Sequence, residues 1–149
     1  MSKTMTNDRS AALAALLLRL GLGVMFLAHG LYMKIIVFGL GGTMGFFGSL
    51  GYPPFLGAVV AIAETLAGIA LLLGLWTRPV ALLAVPILIG ATLQHGGNGW
   101  VFSNAGGGWE FPAFWIVTLL VQALLGDGAY ALKPQHLAGQ PAVAERAEA

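Results

Sequence analysis

A handful of side chains in this chain could do chemistry: Arg19, His29, Glu64, His95 and Glu110, with Trp109 beside the last. Glu64 lies in the middle of AVVAIAETLAGIALLLGLW, a stretch otherwise made for lipid. Ionisable groups inside a membrane are costly and mark function by default. Glu64, His29, His95 and Glu110 are therefore the candidate catalytic set. Arg19, His29, Glu64, His95 and Trp109 are the candidate cofactor-binding set. Two imidazoles on different helices could ligate a haem, as bundles hold cofactors between facing helices. His29, His95 and Glu110 together could ligate a first-row metal. Both are weaker readings than an organic ligand held by hydrogen bonds, and no metal site is assigned.

The elements that must position these residues follow from composition. The chain has 149 residues, of which 58% are hydrophobic and 9% charged. An average soluble chain carries roughly 25% charged residues. So few charges cannot cover a water-exposed surface, and the bilayer is the expected surrounding. The net charge is +1 and no basic run occurs, so no nucleic-acid partner is expected. There is no Cys, which removes disulfides, thiolate nucleophiles and iron–sulfur ligation. Thiol chemistry would have to come from a partner protein.

The apolar runs predict an all-α, integral membrane four-helix bundle forming one domain over residues 11–133. Its helices are expected at about 11–38, 54–76, 79–95 and 110–126. Residues 1–10 form a short N-terminal segment, and the Ala- and Pro-rich tail 134–149 is expected to be disordered. Arg19 interrupts the first run and no convincing cleavage site follows, so it reads as a retained helix rather than a signal peptide. Lys3, Arg9, Arg78, Lys133 and Arg146 flank the ends and the second turn, whereas the glycine-rich loops 39–53 and 96–108 carry no Lys or Arg. By the positive-inside rule both termini are cytoplasmic and the two loops face outward. Those loops are either flexible connectors or a cap over the outer end. Lys34, near the outer end of the first run, is expected to snorkel to the interface.

Helical periodicity orients the rare charges. Gly57, Ala61, Glu64 and Gly68 share one face, as do Arg19, Gly23, Phe26 and Gly30. Small residues mark helix–helix contacts in membranes, so both charges should turn inward. Counting rise per residue puts Arg19 roughly 9 Å from the inner edge and Glu64 about 15 Å from the outer one. The expectation is an Arg19–Glu64 pair. The same count brings His29 and His95 to one level, about 24 Å from the inner edge, with Glu110 at the outer edge.

LLLRLGLGVMFLAHGLYMK, LGYPPFLGAVVAIAETLAGIALLLGLWTRPVAL and GGWEFPAFW resemble the DoxX family of small four-helix bacterial membrane proteins. The resemblance covers roughly residues 16–125 and picks out Arg19, His29, Glu64, Arg78, His95 and Glu110. It implies a multi-pass protein of the bacterial inner membrane, associated with quinone-linked oxidation, thiol stress or membrane oxidoreductase complexes. A quinone needs a hydrogen-bond donor, expected from His29 or His95, and a proton carrier, expected from Glu64 or Glu110. With no Cys cluster or nucleotide fingerprint, electrons would pass through a protein partner or an acquired cofactor. The competing reading is a non-catalytic scaffold or accessory protein that recruits a redox or stress-response partner, alone or as a homo-oligomer. A transporter is disfavoured because no repeated half-helix signature appears.

Overall fold

The computed structural model describes the backbone of residues 2–132 and the side chains of residues 8–132. The tail 134–149, including His136, lies outside the described residues. The described chain is all-helical. Helix α1, Ser2–Leu27, runs on into a π-helical segment, Ala28–Val37; α2 is Gly39–Ser49, α3 Phe55–Leu73, α4 Thr77–His95 and α5 Glu110–Leu125. Three of these helical stretches are long and apolar enough to cross a membrane: Asp8–Val37, Phe55–Leu73 and Thr77–Asn98. The 16 residues of α5 are apolar but shorter. Large apolar side chains face outward along the array; Leu17, Leu83 and Leu124 are each at least 70% exposed. A surface of that kind is built for acyl chains rather than water.

Local sequence explains the breaks. Gly39 adopts φ +72° and releases the chain from the π segment into α2. Pro54 caps the start of α3, where a missing N–H costs nothing. At the other end Gly74 is left-handed, Leu75 N–H bonds Ala70 O at 2.8 Å, and Gly74 N–H bonds Leu71 O at 3.2 Å. These two bonds form a Schellman turn, which reverses the chain into α4.

The stretch 39–53 is mostly helix rather than loop. Glycine disfavours a helix by about 1 kcal/mol per residue relative to alanine. Tertiary contacts offset this in α2. Thr43 is buried and its Oγ1 donates to Lys34 O at 2.7 Å, while the backbone around Thr43 and Met44 lies against Gly57 of α3. The stretch 96–108 is also ordered. Asn98 Nδ2 donates to Gly106 O and Gly107 O, Asn104 Nδ2 donates to Asn98 O, and Trp109 N–H bonds Gly99 O. Neither is a loose connector.

α1 and α3 pack antiparallel through the small faces read from the sequence. A Cβ on Gly30 would sit 2.7 Å from that of Glu64, and one on Gly23 would press on Leu72 and Gly68 O. Leu22, Phe26, Leu71, Ala81, Ala84, Leu88, Trp115 and Leu119 form the shared core of α1, α3, α4 and α5. At one end of the array, Ala129 N–H bonds Ala12 O and Leu132 N–H bonds Leu73 O. The segment after α5 thus lies beside the first half of α1 and the α3–α4 turn. At the opposite end lie the π segment, α2 and the loop between α4 and α5.

Candidate functional site

The expected Arg19–Glu64 pair does not form. Arg19 is 1% exposed, and its guanidinium donates from Nη1 to Leu71 O (2.9 Å) and Leu72 O (3.1 Å), and from Nη2 to Ala129 O (3.0 Å). Two of these acceptors are end carbonyls of α3, which a cation complements well. The reason for the difference is register. Glu64 stands level with Gly30, not with Arg19. Eleven residues of helix, about 16 Å, separate those levels.

Glu64 instead takes Lys34. Lys34 Nζ donates to Glu64 Oε2 at 2.6 Å, with the side chains 21% and 7% exposed. Helical side chains tilt toward the N-terminus of their helix, so a lysine near the end of a span leans back into it. Lys34 therefore reaches inward to the carboxylate rather than outward to the interface. Sequence reasoning missed it, although a signal was present. Lys34 follows Gly30 by four residues and so continues the face of Arg19, Gly23, Phe26 and Gly30.

The ion pair stands between two cavities. One, of about 390 Å³, is lined by Lys34, Glu64, His95, Gln94 and Tyr52, with Phe46, Phe47, Pro86 and Ile87 among its apolar walls. The other, of about 440 Å³, is lined by His29, Lys34, Thr43, Phe46 and Phe47. In an α-helix His29 and Lys34, five residues apart, would point about 140° apart. The i→i+5 winding of the π segment closes much of that angle, and both line one cavity.

Each histidine is anchored by its backbone surroundings. His29 Nδ1 lies 2.9 Å from Met25 O, and the ring packs on Trp115 at 5.0 Å between centroids. His95 Nδ1 lies 3.0 Å from both Gly106 O and Gly107 O. A carbonyl can only accept, so Nδ1 carries the hydrogen in both rings. In the neutral imidazole the remaining nitrogen, Nε2, is then an acceptor. A neutral ring so anchored offers an acceptor, where a donor was expected of these residues.

Glu110 and Trp109 lie apart from the ion pair. Glu110 Oε1 accepts from Phe102 N–H at 2.8 Å and lines a separate groove of about 470 Å³ with Trp100, Phe111 and Phe114. Trp109 stacks edge-on against Trp100 at 4.5 Å. Among the described residues no three His, Asp or Glu side chains gather as a metal site, so His29, His95 and Glu110 do not form the ligand set that was the weaker alternative. His29 and His95 line different cavities, so they do not face each other as haem ligands would.

Three comparisons bear on this arrangement. The DoxX family profile matches residues 14–97, which hold Arg19, His29, Lys34, Glu64 and His95. The chain is 35% identical over 127 residues to "Putative oxidoreductase CatD" of Bacillus subtilis (strain 168), covering 85% of this chain and 90% of that one. It is 33% identical over 134 residues to "Inner membrane protein YphA" of Escherichia coli (strain K12), covering 84% and 93%. No solved structure matches it. Apolar spans, an inward-turned ion pair and these relatives agree: the chain is a multi-pass bacterial inner-membrane protein and belongs to the DoxX family.

Proposed function

We propose that this chain is the membrane subunit of a quinone-linked redox system and binds the quinone ring in the cavity beside Lys34 and Glu64. The observation that carries this reading is a part-buried ion pair opening onto a cavity of about 390 Å³ with aromatic walls. Ligand sites are typically apolar cavities of roughly 300–1,000 Å³ with a few convergent polar groups. The residues present fit such a ring. Phe46, Phe47 and Tyr52 offer faces for a flat aromatic body, and Lys34 has ammonium N–H groups beyond the one given to Glu64. The relative named as an oxidoreductase supports a redox role. A quinone supplies two-electron chemistry when bound. The side chains here would orient the ring, keep it from water, and hold protons at Glu64 and His95. Electrons would pass to a protein partner, because the chain has no Cys and no nucleotide-binding fingerprint of its own.

The same reading makes α5 a fourth span and puts both termini in the cytoplasm. The bond from Ala129 N–H to Ala12 O supports it, since a segment after α5 that lies beside the first half of α1 has crossed an even number of times. The stretches 39–53 and 96–108, free of Lys and Arg, then lie on the outer side. Glu110 and Trp109, at that end, would meet a partner rather than the ring.

The test is quinone titration of the protein in lipid nanodiscs, followed by tryptophan fluorescence. Saturable binding that weakens at least tenfold in Lys34→Met is expected. No saturable binding, together with co-purification of a partner whose activity is unchanged in His29→Ala and His95→Ala, would favour the accessory-protein reading instead.

A further inference from the structure

Resting on that reading, we infer that the cavity prefers the reduced, dihydroxy form of the ring to the dicarbonyl form. The argument is one of matching hydrogen-bond roles. His95, which lines the cavity, gives its Nδ1 hydrogen to Gly106 O and Gly107 O, which leaves Nε2 as the acceptor of the neutral ring. Glu64 accepts from Lys34 through Oε2, and among the described residues Oε1 makes no hydrogen bond. A carboxylate has only acceptors to offer. The adjoining cavity repeats the pattern, because His29 is anchored through Nδ1 to Met25 O. Against these acceptors stand one charged donor, Lys34, already partly committed to Glu64, and two neutral groups, the Tyr52 hydroxyl and the Gln94 amide, each of which can accept as well as donate.

A ring with two carbonyls brings acceptors alone. Beside Nε2 and Oε1 it would set lone pair against lone pair, and its donors would have to come from Lys34, Tyr52 or Gln94. A ring with two hydroxyls brings two donors, and each finds an acceptor. A site built to hydrogen-bond a hydroxyl discriminates strongly against the analogue lacking it, because its own polar groups are then left unpaired. The backbone carbonyls that fix both tautomers thus set which redox form of the ring is held. The inference concerns binding and includes no electron transfer.

The experiment compares ubiquinol-1, kept anaerobic, with ubiquinone-1 as probes of the protein in nanodiscs. The expected result is a dissociation constant at least tenfold lower for ubiquinol-1. In His95→Phe that advantage should fall at least threefold. Asn98→Ala separates tautomer from loop order: it frees the same two loop carbonyls yet leaves the His95 ring in place, and should keep most of the preference. If His95→Phe does not fold, the wild-type ratio decides. Equal binding of the two probes, or tighter ubiquinone-1, overturns the inference and leaves the quinone site standing. Absence of binding by either probe overturns both.

Discussion

Replacing Lys34 by methionine keeps the length of the stem and removes the charge. Glu64, 7% exposed at the middle of α3, would then hold a carboxylate with no partner. Removing one member of a buried ion pair typically costs 3–5 kcal/mol, most of it the desolvation of the charge left behind. Lys34 is 21% exposed, so some water reaches the pair and the low end of that range applies. About 3 kcal/mol corresponds to roughly a hundredfold change in the folding equilibrium. Glu64→Gln should cost less, about 1–2 kcal/mol, because the flexible ammonium can reach polar surroundings that the carboxylate cannot. The double variant Lys34→Met with Glu64→Gln removes both charges, and should recover about 2 kcal/mol relative to Lys34→Met alone. The assay is reversible unfolding in mixed detergent micelles, read by tryptophan fluorescence, for wild type, both single variants and the double. Refutation is clear-cut: a Lys34→Met protein as stable as wild type, or a double variant whose losses simply add, would mean that the pair is not coupled.

Other outcomes follow from the same contacts. Gly30→Ala would drive a methyl group into Glu64 Cβ and the α3 backbone, so α1 and α3 should separate at a cost of about 1–3 kcal/mol in the same assay. Arg19→Lys cannot reproduce three bonds from a planar fork. Its segment 126–132 should exchange amide hydrogens at least tenfold faster by mass spectrometry, with α2 unaffected. Glu110→Gln keeps an oxygen for Phe102 N–H at an exposed site and should change stability by no more than about 0.5 kcal/mol, less than Glu64→Gln does.

The sequence carried the inward faces of α1 and α3 plainly. Gly57, Ala61, Glu64 and Gly68 are all buried, as are Arg19, Gly23, Phe26 and Gly30. Period within one helix is a local property, and local properties can be counted along the chain. Partnership between helices is not local. Whether Arg19 or Lys34 reaches Glu64 depends on how far α1 slides along α3, which the contacts of Gly23 with Gly68 and of Gly30 with Ala61 decide. An error of about ten residues in that slide changed the partner of the one carboxylate in the middle of α3. Helix α2 was hidden for a related reason: its glycines argue against a helix, and only its docking on Gly57 reverses the balance. The roles of His29 and His95 were equally unreadable, because the carbonyls that choose their tautomers are known only once the backbone is in place.

Arg19 also imposes an order on biogenesis. It enters the bilayer with α1, yet its acceptor at Ala129 lies 110 residues downstream. Until Ala129 has been synthesised, the guanidinium lacks one of its three final oxygens. A nascent or truncated chain therefore carries an incompletely neutralised cation at depth, a mark by which a membrane protease could tell it from the finished product.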